Sequence, residues 1–227
     1  MTMRRFLRDQ GLSIMFLAIF VVALAGQSLA GHAYNNEQLA LDGLPPIGYG
    51  EFVTSSDFFV DVAENWQSEF LQFFVFILAT IWLIQRGSPE SKKPGHEGLG
   101  SDDEQEAGRS ASAGAPRGAW AGGVTQWLYS NSLLLVMGAI FVLSWFAQSL
   151  GGMIVANQEN ARHSLPPQTW VEYAASADFW NRTLQNWQSE FLAVGAMIAF
   201  SIYLRQRGSS ESKPLGTPHH VTAAEGE

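Results

Sequence analysis

The chain has 227 residues, of which 47% are hydrophobic and only 15% are charged, and its formal net charge is −8. Soluble domains are about a quarter charged, so this composition favours contact with lipid. The acidic balance argues against a nucleic-acid partner, and the absence of cysteine excludes disulfides, thiolate catalysis and cysteine-ligated metals.

The first predicted element is an apolar helix that crosses a membrane. Three arginines occur within the first eight residues, and residues 12–30 are then apolar and nearly uncharged. That length suffices for a helix to cross the ~30 Å hydrocarbon core of a bilayer. A cleaved signal peptide has a similar order of basic and apolar regions. We favour a retained span, because its counterpart at residues 133–151 lies in mid-chain, where such a signal does not belong.

A polar segment and a second long helix follow. Residues 31–64 are largely polar and are interrupted by a Pro-Pro pair, which is typical of a break between helices. Ser and Thr residues directly before Asp57 indicate a helix N-cap. We therefore expect one helix from about Asp57 to Gln85, with an amphipathic first half and an apolar second half.

The same unit then occurs a second time. The sequence Asn-Trp-Gln-Ser-Glu-Phe-Leu occupies residues 65–71 and again residues 186–192, a spacing of 121 positions. Without a gap, this spacing also aligns Gln27-Ser28-Leu29 with Gln148-Ser149-Leu150, Leu44-Pro45-Pro46 with Leu165-Pro166-Pro167, and Gln85-Arg86-Gly87-Ser88 with Gln206-Arg207-Gly208-Ser209. The chain is therefore predicted to contain a duplicated membrane hairpin.

These observations predict four parts and one fold class. The parts are a first membrane hairpin repeat at residues 1–87, a disordered cytoplasmic linker at 88–122, a second membrane hairpin repeat at 123–208 and a disordered cytoplasmic tail at 209–227. The two disordered segments are inferred from their low-complexity, polar composition. The fold class is an all-α membrane protein with four transmembrane helices, in two tandem, parallel-oriented helical hairpin repeats with outward-facing helical segments.

The distribution of basic residues predicts the orientation. Of the 13 Lys and Arg residues, only Arg162 and Arg182 fall in the two polar segments within the repeats, and the others lie at the N-terminus, in the linker or after the last span. An excess of basic residues marks the cytoplasmic side of a membrane. We therefore place both termini and the linker in the cytoplasm and the two polar segments outside the cell (inner) membrane, which makes the repeats parallel.

Polar side chains near the outer boundary form a candidate site. At the helical rise per residue, Trp66 and Gln85 are about 28 Å apart, which places Glu69 one turn inside the outer boundary. The candidate site and its repeat counterparts comprise Glu69, Glu190, Gln27, Gln148, Asn65 and Asn186. Two interpretations stay open: polar contacts that hold helices together, or a site for a proton, a cation or a ligand.

Three further sets of residues follow from the repeat. Asp61 and Arg182 share a repeat position with opposite charge and form a hypothetical inter-repeat salt bridge. The predicted interface anchors are Trp66, Trp187, Arg86 and Arg207, because aromatic and basic side chains favour membrane boundaries. Small residues that allow helices to approach closely are Gly26, Ala30, Ala147 and Gly151.

The sequence contains no recognisable catalytic or metal-binding motif. The five histidines do not cluster with carboxylates at ligand spacing. Neither a phosphate-binding glycine-rich loop after a strand nor a nucleophile elbow is present. We therefore predict no cofactor, no metal and no enzymatic activity.

Several motifs occur together that are typical of one family. They are the doubled Asn-Trp-Gln-Ser-Glu-Phe-Leu with its Leu-Pro-Pro and Gln-Arg-Gly flanks, the N-terminal Arg-Arg-Phe-Leu-Arg-Asp and Gly31-His32-Ala33. Through them the chain resembles a family of uncharacterised bacterial four-span membrane proteins, a domain of unknown function. The resemblance covers both copies but not the linker and tail. It implies a bacterial inner-membrane location and carries over no activity, substrate or active residue.

Two functional hypotheses follow. The first is a non-enzymatic structural, accessory or partner-binding membrane protein, surrounded by the lipid bilayer and associating with itself or with another membrane protein. The second is a small oligomeric channel or transporter that uses Glu69 and Glu190 near the outer leaflet. Few polar residues lie deeper in the predicted spans, which favours the first hypothesis. A membrane-embedded enzyme that acts on lipid ranks last.

Overall fold

The computed structural model describes residues 2–223, and every regular element in this range is helical. The α-helices are α1 (Met3–Asp9), α2 (Gly11–Leu41), α3 (Tyr49–Val53), α4 (Ser56–Trp82), α5 (Arg117–Trp120), α6 (Gly123–Ser130), α7 (Ser132–Arg162), α8 (Trp170–Ala174) and α9 (Ala177–Tyr203). A 3₁₀ turn occupies Gly108–Ser110. The all-helical part of the predicted fold class is confirmed for these residues. Residue 1 and the last four residues of the predicted tail lie outside the described range.

Two helices are long and apolar enough to cross a membrane. α2 and α7 each contain 31 residues, and their most apolar 18-residue windows have mean hydropathies of 2.2 and 2.0. Only 6% of the window in α2 and 17% of the window in α7 is buried within the chain. These two helices are compatible with a membrane protein, while four spans and an inner-membrane location stay predictions.

The end of α4 differs from the sequence expectation. The helix ends at Trp82 rather than at Gln85. The N–H of Gly98 donates to the carbonyl of Ile81 at 2.7 Å, and the N–H of Gln85 donates to the hydroxyl of Ser91 at 2.9 Å. Backbone groups at the helix end are therefore satisfied by the following loop, which removes the need for further helical turns.

The chain divides into two compact units. The first contains Met1–Val62 and Gly151–Pro167, and the second contains Ala63–Leu150 and Gln168–Glu227. The first unit therefore holds α2 and α3, and the second holds α8 and α9, while α4 and α7 each contribute to both.

In the first unit, polar contacts fold the loop after α2 back onto that helix. The hydroxyls of Ser28 and Tyr49 lie 2.8 Å apart. The side-chain oxygen of Asn36 accepts the N–H of Ile47 at 2.8 Å, and the Asn36 amide nitrogen donates to the Ile47 carbonyl at 3.1 Å. A ring nitrogen of His32 lies 2.8 Å from the same carbonyl. These contacts fix the position of α3 along α2.

The turn that ends α2 requires a left-handed backbone. Gly43 has a φ of 71°, and the N–H of Leu44 donates to the carbonyl of Leu39 at 2.8 Å, closing the turn. Next to it, Asp42 pairs with Arg162 at 3.3 Å. Because these two side chains are 48% and 40% exposed, the ion pair contributes little to stability.

In the second unit, the C-terminal segment packs against the turn after α4. The ammonium group of Lys213 donates to the carbonyls of Gly87 at 2.6 Å and His219 at 2.9 Å, and the Lys213 side chain is buried. The N–H of Gly87 donates to the hydroxyl of Thr222 at 2.9 Å. The division of the chain into repeats, disordered linker and disordered tail stays a prediction, and these contacts offer a direct test of it.

Candidate functional site

The second unit contains a cluster of polar side chains that two helix caps position. Thr169 and Glu172 form a capping box at the start of α8: the Thr169 hydroxyl accepts the Glu172 N–H, and the Glu172 carboxylate accepts the Thr169 N–H. The hydroxyl of Ser176 accepts the N–H of Phe179 at 3.2 Å and starts α9. Together the caps fix the register of α8 and of the first turn of α9.

A chain of polar contacts links α8, α9 and α4. The hydroxyl of Tyr173 donates to one oxygen of Asp178 at 3.1 Å, and the other oxygen accepts from Arg182 at 3.4 Å. Arg182 also donates to Glu64 at 3.4 Å, and the side-chain amide of Asn186 donates to the second Glu64 oxygen at 2.8 Å. We call these five side chains the polar network.

The polar network combines two carboxylates with one guanidinium group. Burial, followed by the charge of Asp178, raises the pKa of Tyr173, so its hydroxyl stays protonated and donates. Burial acts to lower the pKa of Arg182, but the carboxylates of Glu64 and Asp178 outweigh it and raise this pKa overall. The side chain of Glu64 is only 15% exposed, whereas that of Arg182 is 44% exposed. The arrangement therefore joins α4 and α9, and it contains one more carboxylate than guanidinium groups.

Farther along α9 than the network, Trp187 contacts both a buried glutamine and a second tryptophan. The indole N–H of Trp187 donates to the side-chain oxygen of Gln67 at 2.8 Å, and Gln67 is fully buried. The ring of Trp145 lies 6.0 Å from that of Trp187, and its N–H lies 3.5 Å from the hydroxyl of buried Thr183. The Gln67 oxygen and the Thr183 hydroxyl are thus each paired with an indole N–H, as is usual for buried tryptophans.

Two buried glutamines keep amide atoms without hydrogen-bond partners. Within residues 2–223, these atoms are the amide nitrogen of Gln67 and both the nitrogen and the oxygen of Gln148. Gln148 is 1% exposed. An unpaired buried polar group costs about 1–3 kcal/mol. The sequence predicted Gln148 as a site residue, and the structure places it in the interior of the second unit.

The predicted acidic pair lies nearer the surface. Glu69 is exposed and Glu190 is half-buried. Asn65 is exposed, whereas its counterpart Asn186 belongs to the polar network. Gln27 is half-buried and lies in the first unit. The functional role of this set stays a prediction.

Glu64 is the network residue that the sequence did not indicate. The repeat aligns Arg182 with Asp61, and the hypothetical pairing of those two residues stays a prediction. Arg182 forms ion pairs with two other acids, Glu64 and Asp178. In the sequence, Glu64 directly precedes the predicted site residue Asn65. Its carboxylate accepts a hydrogen bond from Asn186, the repeat counterpart of Asn65.

The predicted anchors and packing residues have different surroundings. Five of these predicted residues are exposed: Trp66, Arg86, Arg207, Gly26 and Ala30. Trp187 and Ala147 are half-buried, and Gly151 is buried. A Cβ atom on Gly151 would lie 2.5 Å from the side chain of Val60. Any larger residue at 151 would therefore separate these two parts of the first unit.

Histidines and carboxylates do not assemble into a metal site in the described part of the chain. No group of three or more His, Cys, Asp or Glu side chains there could hold a metal ion. His32 contacts Asn36 and the Ile47 carbonyl, and His163 contacts Glu159 at 2.7 Å. Each of these two histidines is thus engaged in a local contact.

Comparison with known proteins identifies a family. No curated protein and no solved structure matches the chain. A family model described as Domain of unknown function (DUF6766) matches residues 3–224. The match includes the linker, which the sequence resemblance had left out, and a bacterial origin stays a prediction. Because the match covers nearly the whole sequence, the chain belongs to the DUF6766 family.

Proposed function

We propose that the protein is a multi-pass membrane protein with four transmembrane helices in two tandem hairpin repeats, and that it binds a protein partner rather than catalysing a reaction. The helix boundaries support the repeat. α7, α8 and α9 begin and end 121 positions after α2, α3 and α4, which is the spacing of the repeated sequence.

Equivalent contacts within each unit also support the repeat. In the second unit, the indole N–H of Trp170 donates to the hydroxyl of Ser149 at 2.9 Å, as the Tyr49 hydroxyl contacts Ser28 in the first. The positions align at the same spacing. Two different aromatic side chains thus contact the equivalent serine of each unit, which supports the same helix pairing in both units.

The partner-binding proposal rests on the hydrogen bonds within the polar network. Arg182 is shared between Glu64 and Asp178, and the remaining oxygen of each acid accepts from Asn186 or Tyr173. A catalytic or transport site needs groups that are free to engage a substrate, whereas each carboxylate oxygen of this network already accepts a hydrogen bond from another member. It supports a rigid outer surface suited to holding a partner.

The test measures association and ion flux on the same preparation. The full chain is purified in mild detergent, its mass is determined by light scattering, and it is then reconstituted into liposomes that contain a pH-sensitive dye. The proposal predicts a defined oligomer or a stoichiometric complex with a membrane protein, and no proton or cation flux above that of empty liposomes. Flux without stable association would contradict it.

A small oligomeric channel or transporter is the second candidate. The buried, unpartnered side-chain amide of Gln148 favours it. If this function is correct, combining Glu69→Gln with Glu190→Gln abolishes a measurable flux. The matched control is Glu106→Gln, an exposed acid in the linker, which should leave that flux unchanged.

A further inference from the structure

A cavity of ≈ 390 Å³ lies in the second unit beside the C-terminal end of α4. Its apolar walls include Phe76, Leu83, Ile84 and Ile198, and its polar side includes Ser88 and Glu90. The volume falls within the range of about 300–1,000 Å³ that is usual for small-molecule sites. The cavity is separate from the polar network described above.

The polar side of the cavity is formed by a turn with fixed geometry. The hydroxyl of Ser88 accepts the N–H of Glu90 at 3.2 Å, and the hydroxyl of Ser91 accepts the N–H of Gln85 at 2.9 Å. The carbonyl of buried Ser88 accepts the N–H of Ala223 at 3.1 Å. Because both hydroxyls and the backbone are engaged, the turn holds the Glu90 side chain at the cavity in a preformed arrangement.

Glu90 is the chemically distinctive group of this cavity. Its side chain is half-buried, and within residues 2–223 its carboxylate has no hydrogen bond or ion pair. Burial, followed by the nearby charge of Glu211, raises the pKa of Glu90. A carboxylate that is partly removed from water and lies near a second carboxylate is stabilised by a cation.

We propose that this cavity binds an amphiphilic primary amine, with its ammonium group at Glu90 and its hydrocarbon chain between the apolar side chains of α4 and Ile198. The Glu90 carboxylate selects a cation, and the adjoining apolar walls select a hydrocarbon chain. A phosphate next to the ammonium group would be repelled by Glu90, so the proposed ligand carries no phosphate. This binding site is independent of the proposed partner-binding function.

The experiment uses the full chain in nanodiscs of phosphatidylcholine and three photoactivatable probes with the same alkyl chain. The probes end in an ammonium group, in a neutral hydroxyl, or in a phosphoethanolamine headgroup. After irradiation, labelled peptides are identified by mass spectrometry. The ammonium probe should label the peptides that contain Phe76–Ile84 and Ile198 about tenfold more than either other probe, as expected for a charge-assisted contact.

Variants test separately how the charge of Glu90 and the apolar walls contribute to labelling. Glu90→Gln keeps the size of the side chain and should reduce labelling by the ammonium probe about tenfold, down to the level of the hydroxyl probe. Glu106→Gln removes an exposed acid of the same linker and should have no effect. Ala79→Trp, which fills the cavity wall, should reduce labelling by all probes.

Three results would overturn the proposal. They are equal labelling by the ammonium and hydroxyl probes, unchanged ammonium labelling of Glu90→Gln, and labelling confined to peptides elsewhere in the chain. Equal labelling by the phosphoethanolamine probe would overturn the selection against phosphate and point to a bilayer phospholipid as the occupant. Thermal unfolding of each variant verifies that lost labelling does not come from lost folding.

Discussion

At the residue scale, Gly87 is required by its backbone and by its neighbours together. Its φ of 89° lies in the left-handed region, where a Cβ atom is strained. A Cβ atom there would also lie 2.5 Å from the carbonyl oxygen of His219. Gly208, its repeat counterpart, has a φ of 81° but nothing within 4 Å of such an atom. The two positions therefore separate backbone strain from steric overlap.

Replacing Gly87 by alanine should destabilise the protein more than the same change at Gly208. Backbone strain alone is expected to lower the free energy of unfolding by about 1–2 kcal/mol in Gly208→Ala. The added overlap with His219 should bring Gly87→Ala to about 2–4 kcal/mol. Unfolding midpoints in the same detergent measure both, and equal losses would show that the C-terminal segment does not pack against Gly87.

The ion pair between Glu64 and Arg182 should show energetic coupling. A double-mutant cycle of Glu64→Gln and Arg182→Gln should give about 0.5–1.5 kcal/mol, reduced from a fully buried pair because Arg182 is 44% exposed. A parallel cycle of Asp61→Asn with Arg182→Gln tests the inter-repeat salt bridge predicted from the sequence. Zero coupling in the second cycle would reject that bridge, and zero coupling in the first would reject the network.

Tyr173 should make stability fall at alkaline pH. Because folding raises the pKa of this buried phenol, the neutral form is favoured in the folded state. The stabilisation is complete below the ordinary tyrosine pKa of about 10 and is lost as the pH rises above it. The wild-type protein should therefore lose more stability from about pH 9 to about pH 11 than Tyr173→Phe does. Replacing exposed Tyr34 by phenylalanine should leave the wild-type slope unchanged.

At the element scale, periodicity predicted the helices better than their ends. The apolar stretch at residues 12–30 predicted the core of α2, but polar residues as far as Leu41 continue the same helix. Nothing in that segment breaks a helix before Gly43, which supplies the left-handed turn. Conversely, α4 ends early, and the N–H of Gly98 satisfies the carbonyl of Ile81 next to its last residue. Such long-range partners cannot be read from local composition.

The turn after α4 should protect its amides through Lys213. Lys213→Ala removes donors to the carbonyls of Gly87 and His219, so hydrogen exchange should accelerate in the peptides that contain Gly87 and Ala223. Lys92→Ala is the matched control, because Lys92 occupies the same repeat position and donates to Gly98. Rapid exchange of both peptides in the wild-type protein would instead support the disordered linker and tail that composition predicts.

At the scale of the whole molecule, the repeat was visible in the sequence but the polar network was not. Identical motifs at one spacing predicted paired helices with the same order in each copy. The network combines residues that the two copies do not share, since Glu64 aligns with Gln185 and Arg182 aligns with Asp61. Comparison of the copies therefore pointed to Asp61, and only the packing of α4 against α9 within the second unit placed Glu64 beside Arg182.

The most direct test of the four-span account is the labelling of single cysteines with a membrane-impermeant maleimide, because the natural chain contains none. Gln38→Cys lies in the first predicted outer segment, and Ser112→Cys lies in the linker; both positions are exposed. In intact cells, the account predicts labelling at 38 and labelling at 112 only after the membrane is permeabilised. Labelling at 112 in intact cells would mean that α4 does not return across the membrane, and would contradict the account.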